Sequence, residues 1–117
     1  MLKEYLKVMK ALADGNRTKI IKMLAIKEMC VCEMKAVLKM AQPSVSKHLK
    51  ILEEAGLVES RKDGMWVNYR LSENPDNVYA EHMLDVLGDW IKDDNEIKNV
   101  ITLAGNVDRC DITGSCR

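Results

Sequence analysis

The sequence contains no phenylalanine and no hydrophobic run longer than a few residues. Without a long apolar run the chain has nothing to span a bilayer, and its charged, amphipathic N-terminus lacks the hydrophobic stretch of a signal peptide. We therefore expect a cytoplasmic protein with no membrane partner. Methionine, by contrast, occurs eight times, which predicts a core filled by flexible aliphatic side chains.

Catalytic signatures are also missing. The sequence shows no nucleophile paired with a base, no glycine-rich phosphate loop and no pair of catalytic carboxylates. A thiol-dependent enzyme such as a small reductase is the enzymatic alternative, but the Cys-Val-Cys triplet at residues 30–32 is not the Cys-x-x-Cys redox motif. The sequence therefore predicts a protein that is not an enzyme.

The charges are unevenly distributed along the chain. Hydrophobic and charged contents of 47% and 31% over 117 residues are typical of one globular domain. Residues 1–70 hold 14 basic and 8 acidic side chains, whereas residues 71–117 hold 4 and 10. This asymmetry favours an anionic partner for the first part, with chance clustering as the alternative. We divide the chain into a domain of residues 1–105 and a flexible, cysteine-containing tail of residues 106–117.

Hydrophobic periodicity predicts four helices, a β-hairpin and two further helices, in the order α-α-α-α-β-β-α-α. The hairpin consists of two strand-like runs around Asp63 and Gly64. Two short helices joined by a tight turn and followed by a hairpin predict a mainly α, winged helix-turn-helix fold. The helices are expected at residues 2–12, after Asp14, from residue 30 or 32, from Pro43 to Ala55 before Gly56, and at residues 78–92 and 95–104.

The fourth helix presents two different faces. Val45, Leu49 and Leu52 form a narrow apolar stripe, while the opposite face carries short polar side chains and lysines. Such a face at a helix N-terminus suits the phosphates and major groove of double-stranded DNA. An ordinary solvated face is the alternative, but the hairpin that follows favours DNA. The predicted contacts are Gln42, Ser44, Ser46, Lys47, His48 and Lys50 of this helix and Arg61 and Lys62 of the hairpin.

The fifth predicted helix is apolar on more than one stripe. Residues 78–91 place apolar side chains around more than half of the helix, which indicates burial on two sides. In so small a domain a second subunit is the favoured partner for one of these sides, with a fully buried core helix as the alternative.

Three segments resemble the ArsR/SmtB family of metalloregulators. Residues 11–20 resemble its opening motif, residues 42–58 are similar to its recognition-helix signature, and residues 61–71 resemble its wing. The resemblance covers roughly residues 8–71 in the family's order. It implies a homodimeric repressor on a two-fold DNA operator, with the first and fifth helices at the dimer interface.

Cys30, Val31 and Cys32 resemble the element with which the arsenic- and cadmium-sensing branch binds its effector. Thiolates suit soft ions, so the resemblance implies a repressor released by arsenite, antimonite or another thiophilic ion. Residues i and i+2 point about 200° apart in a regular helix and to the same side in an extended segment. We therefore expect the start of the third helix to be irregular, or to unwind as both sulfurs bind one ion and so to shift the recognition helices.

The chain departs from this branch in its further thiols. Lys35 stands where the arsenic-sensing type has a third cysteine, and the N-terminal thiols of the cadmium/lead type are absent. We expect Cys110 and Cys116, from either subunit, to complete the site. Three thiolates would suit trivalent arsenic or antimony, and four would suit Cd(II), Pb(II) or Zn(II). The alternatives are incidental tail thiols and a Cys30–Cys32 pair that only packs.

Two further hypotheses concern thiol oxidation and the fifth helix. A helix N-terminus lowers thiol pKa values, so the chain is alternatively a redox or persulfide sensor of the same fold, in which Cys30 or Cys32 pairs with a tail cysteine. A disulfide within the triplet would be strained. His82, Asp85 and Asp89 share one helix face, where some zinc-sensing relatives bind metal. Their spacing does not match that pattern, and we expect a solvated face.

Overall fold

The computed structural model describes residues 1–108, and this range contains six helices and three strands. Their order confirms the predicted mainly α fold with a β-hairpin wing, and adds a short strand before the third helix. The elements are α1 (Leu2–Leu12), α2 (Gly15–Leu24), β1 (Met29–Cys30), α3 (Val31–Leu38), α4 (Gln42–Glu54), β2 (Val58–Asp63), β3 (Trp66–Leu71), α5 (Val78–Leu87) and α6 (Asn95–Asn106).

Three residues begin or end these elements as the sequence predicts. The Asp14 carboxylate accepts hydrogen bonds from two backbone N–H groups in the first turn of α2, at 2.9 and 3.0 Å, and so caps that helix. Gly56 follows α4 with a φ of 81°, a left-handed conformation that favours glycine. Gly64, with a φ of 65°, is the first of two residues that connect β2 to β3.

Strand β1 is only two residues long, which is too short to show the alternation of apolar and polar residues that predicts a strand. It pairs antiparallel with β3, where Met29 lies opposite Tyr69 and Cys30 lies opposite Asn68. The sheet therefore has the order β1-β3-β2, and the edge strand β1 continues directly into α3.

Helix α5 ends at Leu87, five residues before its predicted end at 92. The buried ammonium group of Lys22 in α2 donates a hydrogen bond to the Leu87 carbonyl. A cation satisfies the carbonyl groups that have no partner inside a helix at its C-terminal end. The chain then turns, and Ile91 adopts a φ of 54°. The hydrogen bond from Lys22 comes from another helix, so the hydrophobic periodicity of residues 78–92 could not predict it.

The core lies among the first four helices and the base of the wing, and α5 and α6 add Ala80, Leu87, Val100 and Ala104 to it. Val45, Leu49 and Leu52 are fully buried, which confirms the predicted stripe of α4, and Ile51 is half-buried against the same core. Methionines supply much of the volume, as the absence of phenylalanine predicts: Met23, Met29 and Met34 are fully buried. No helix within residues 1–108 is long and apolar enough to cross a membrane.

Arg17 of α2 connects α1 to α4. Its Nε donates to the carbonyl of Ala11 at 2.7 Å and its Nη2 to that of Lys10 at 3.3 Å, both near the C-terminal end of α1. Its Nη1 lies 3.1 Å from Nδ1 of His48 in α4. The guanidinium fork thus holds two helices in one orientation, a task for which lysine lacks the geometry.

We expect Arg17→Met to lower the free energy of unfolding by about 1–3 kcal/mol, because three hydrogen bonds of a charged group are lost. Denaturant unfolding at a fixed protein concentration measures this. Lys19→Met is the matched control, since it removes the ion pair with Glu96, whose own side chain is 68% exposed, and should cost at most about 1 kcal/mol. Equal losses in the two variants would contradict the role of Arg17.

Candidate DNA interface and dithiol site

The predicted DNA contacts of α4 lie on its exposed side. Helix α4 begins at Gln42 after Ala41, which provides no side-chain cap. Pro43 has no N–H group and the N–H of Ser44 donates to the Ala41 carbonyl at 3.1 Å, so the N–H of Gln42 is the donor that this helix start leaves available. This helix N-terminus lies beside the hydroxyl groups and lysines of the exposed face. The residues fully on this surface are Gln42, Ser44, Ser46, Lys47 and Lys50.

His48 occupies a different position from its neighbours. It is half-buried, and its Nδ1 lies 3.1 Å from Nη1 of Arg17. A guanidinium group only donates hydrogen bonds, so Nδ1 is the acceptor and the ring proton resides on Nε2. His48 is therefore oriented by Arg17 and keeps one N–H donor. The importance of Arg17 was not predicted, although it stands within the motif of residues 11–20.

The wing residues Arg61 and Lys62 are both exposed, as predicted. Arg61 is also paired: its Nε donates to Oε1 of Glu28 at 2.9 Å. Glu28 precedes strand β1 and is 33 residues away in the sequence. This ion pair was not predicted, and only knowledge of the β1–β3 pairing brings its two members together.

Cys30 and Cys32 are already adjacent in the structure. Cys30 is the last residue of β1 and the N-cap of α3, with extended dihedral angles (φ −88°, ψ 169°), and Cys32 lies in the first turn of α3. Their Sγ atoms are 2.6 Å apart, and both residues are free cysteines. The irregular helix start that the spacing requires is thus present, because the helix begins only at Val31. No unwinding of α3 is needed to bring the sulfurs together.

The surroundings of Cys30 favour a neutral thiol. Burial, and next the hydrogen bond with the Cys32 thiol, raise the pKa of Cys30 from 9.0 to about 12. The Glu33 carboxylate accepts the backbone N–H of Cys30 at 2.9 Å, and its negative charge opposes a thiolate further. The expectation that the helix N-terminus lowers the pKa of this thiol was therefore wrong for Cys30, because burial outweighs the helix dipole.

A depression of about 420 Å³ lies beside the two sulfurs. It joins the start of α3, the start of α4 and the wing, because Gln42, Trp66 and Tyr69 line it together with the cysteines. The sulfurs thus face a space that the start of α3, the start of α4 and the wing share. Residues 1–108 contain no cluster of three or more potential metal ligands, so the described residues provide two thiols and not a complete metal site. The face with His82 and Asp85 is solvated, as expected.

The predicted ligands Cys110 and Cys116 lie outside the described residues. The last part of the described chain runs close to the dithiol strand, because the Lys27 ammonium donates to the Val107 carbonyl at 2.7 Å. Lys27 stands three residues before Cys30.

Helices α1 and α5 pack together and leave apolar side chains exposed. The rings of Tyr5 and Tyr79 meet edge to face with centroids 5.6 Å apart. Leu2 and Leu6 of α1 and Val78 of α5 are exposed. We refer to these five residues as the α1–α5 surface.

Comparison with known proteins agrees with this geometry. The family model described as "Bacterial regulatory protein, arsR family" matches residues 14–60. The arsenic resistance transcriptional regulator of Pseudomonas putida is 40% identical over 91 residues, which cover 74% of this chain and 71% of that protein. The chain belongs to the arsR family.

Two further similarities are to a curated repressor and to a solved structure. The arsenical resistance operon repressor of Escherichia coli K12 is 44% identical over 68 residues, or 57% of this chain and 58% of that protein, so the chain spans less than two thirds of that relative. The solved homodimeric winged helix-turn-helix DNA-binding domain from Mycobacterium bovis, described as a possible ArsR-family regulator, matches with a TM-score of 0.64 at 29% identity. That match covers 74% of this chain and 77% of the other.

The raised pKa of Cys30 predicts a loss of stability in alkaline solution. The unfolded chain gives up this proton near pH 9, whereas the folded protein keeps it to about pH 12. Stability therefore falls as the pH rises between these values. We expect denaturant unfolding at pH 8–11 to show a steeper alkaline decline for the wild type than for Cys30→Ser. All other titrating groups are common to both proteins, and parallel pH profiles would contradict the neutral thiol.

Proposed function

We propose that this arsR-family protein is a transcriptional repressor that binds operator DNA as a homodimer and leaves it when trivalent arsenic binds to cysteine thiols. The observation that carries the proposal is the adjacent pair of sulfurs of Cys30 and Cys32, 2.6 Å apart at the start of α3. Two relatives with which the chain aligns, from E. coli and P. putida, are named as regulators of arsenical or arsenic resistance.

Double-stranded DNA is the partner that suits the exposed side of α4 and the wing. Lys47, Lys50 and Lys62 are exposed and suited to neutralise phosphates. The hydroxyl groups of Ser44 and Ser46, and the backbone N–H of Gln42 at the start of α4, suit phosphate oxygens or base edges. A dimer presents two such helices, which implies a two-fold operator.

The α1–α5 surface supports the homodimer. Exposed apolar side chains on two packed helices are unfavourable in water unless a partner covers them. A second copy of the chain covers such a surface with the same surface of its own. The M. bovis protein, whose solved structure is described as homodimeric, matches 74% of this chain.

Trivalent arsenic suits the Cys30 thiol better than a divalent cation does. Cys30 holds its proton at neutral pH because its pKa is about 12. When arsenous acid reacts, each As–S bond forms as an As–O bond breaks, and the thiol proton leaves with the hydroxide as water. No free proton is released in this exchange, and antimonite reacts in the same way. Cd(II), Pb(II) and Zn(II) require thiolates, so their binding must expel protons.

We propose Cys110 as the third ligand, supplied by the same subunit. Val107 lies against Lys27, near the start of β1. Cys110 is three residues beyond Val107 in the sequence and is therefore the tail cysteine nearer to this point. Cys116 is six residues further on and is the alternative donor, from either subunit.

The DNA contacts are tested by the salt dependence of binding. We expect Lys47→Ala or Lys50→Ala to weaken binding to a duplex that the wild type selects from a random pool. Each substitution leaves one phosphate per subunit without its cation, so the slope of log K against log salt should fall by about 0.9 for each such phosphate. Fluorescence anisotropy at several salt concentrations measures it. The control Lys98→Ala, at an exposed position of α6, should keep the full slope, and unchanged slopes in all variants would refute the interface.

The effector site is tested by substituting the thiols. We expect the Cys30→Ser/Cys32→Ser protein to bind the same duplex as the wild type but to stay bound when sodium arsenite is added. Cys110→Ser should weaken release by at least about tenfold in arsenite concentration, since a third bond to arsenic is lost, whereas Cys116→Ser should behave as the wild type.

Three outcomes would change this assignment. Arsenite release of the Cys30→Ser/Cys32→Ser protein would refute the site. Release of the wild type by peroxide or persulfide and not by arsenite would favour the redox alternative, in which a thiolate must attack. Release by Cd(II), Pb(II) or Zn(II) alone, tighter at higher pH, would favour a divalent-metal sensor.

A further inference from the structure

The backbone of Cys30 belongs to strand β1, and β1 pairs with strand β3 of the wing. Cys30 pairs with Asn68 of β3, and the neighbouring Met29 pairs with Tyr69. Cys30 and Met29 are both buried, so the β1–β3 contact is a packed part of the sheet. A displacement of Cys30 is therefore passed to the strand that continues into the exposed hairpin.

Glu28, the residue before β1, ties the same segment to a side chain of the wing. Its Oε1 accepts a hydrogen bond from Nε of Arg61 at 2.9 Å, and its Oε2 lies 3.9 Å from Nη1 of Arg70. Arg70 has closer carboxylates in Glu59 and Glu73, both at 2.8 Å. The principal partner of Glu28 is therefore Arg61, one of the two wing residues proposed to contact DNA.

An ion bound by both sulfurs fixes their separation and their directions. Two sulfurs each ~2.3 Å from an ion lie about 3.3–3.8 Å apart for angles of roughly 90–110° at the ion. The contacting Sγ atoms of Cys30 and Cys32 must adopt this geometry when one ion joins them. Glu28 lies two residues before Cys30 in the same backbone segment, so a shift of Cys30 moves Glu28 as well.

We propose that Glu28 is a positioning residue that transmits occupancy of the Cys30–Cys32 site to the wing. In the free protein it holds Arg61 in the orientation that reaches DNA, and it withdraws Arg61 when an ion joins the two sulfurs. This inference rests on the proposed function, because it takes arsenite as the ligand of the pair and DNA as the ligand of the wing.

The test compares Glu28→Gln with Glu59→Gln. Both substitutions remove one carboxylate at the wing sheet, but only the first breaks the contact with Arg61. Binding to the wild-type-selected duplex is measured by anisotropy with and without saturating sodium arsenite, and arsenite binding is measured separately by equilibrium dialysis. We expect arsenite to raise the apparent Kd for DNA by about tenfold or more in the wild type and in Glu59→Gln. In Glu28→Gln the rise should be less than about threefold, with arsenite bound as tightly as before.

The outcomes separate this inference from the function on which it rests. An equal rise in Kd for Glu28→Gln and the wild type would overturn the role of Glu28 and leave the proposed function intact. Failure of arsenite to release the wild type would overturn both. A smaller rise in both glutamine variants would also overturn it, because it would show a general effect of wing charge.

Arg61→Gln breaks the same ion pair from its exposed end and serves if Glu28→Gln folds poorly. The double variant Glu28→Gln/Arg61→Gln completes a double-mutant cycle. We expect the double variant to lose no more arsenite response than either single variant. Additive losses would show that the two residues act independently and would overturn the inference.

Discussion

The backbone of Cys30 leaves an extended strand and enters a helix, and the DNA-reading half of the molecule is organised around this change of direction. Its extended dihedral angles end β1 and cap α3, and the Glu33 carboxylate accepts its N–H in the first turn. The same geometry places its sulfur beside that of Cys32. A helical Cys30 would lose the strand pairing and the cap, and would turn the two sulfurs to opposite sides. The wing, the third helix and the thiol pair thus share one residue.

Arg17 makes the corresponding connection between the α1–α5 surface and α4. It holds the carbonyl end of α1 and orients His48 on the recognition helix. A movement of α1 against a partner subunit would therefore change the direction of α4 without passing through the core. Helices α3 and α4 and the wing are thus held from two sides, by the strand that carries Cys30 and by the Arg17 guanidinium group at α1.

Local features of the sequence predicted much of this structure. The stripe of Val45 and Leu49 repeats within one helix, and Gly64 marks a turn by its own conformational freedom. The cysteine motif likewise predicted that the helix start had to be irregular. The irregular helix start exists before any ion binds because β1 pairs with β3. This pairing joins residues far apart in the sequence, so no local sequence pattern predicts it. The same holds for the end of α5, which Lys22 contacts from 65 residues away.

The position of the strand-to-helix boundary gives the two-residue cysteine spacing its meaning. The same triplet inside an uninterrupted helix would offer a single ion one sulfur at a time. A dithiol pair of this kind is therefore identified by the residues that fix the boundary, here a two-residue strand before the first cysteine and Glu33 after it, as much as by the cysteines themselves.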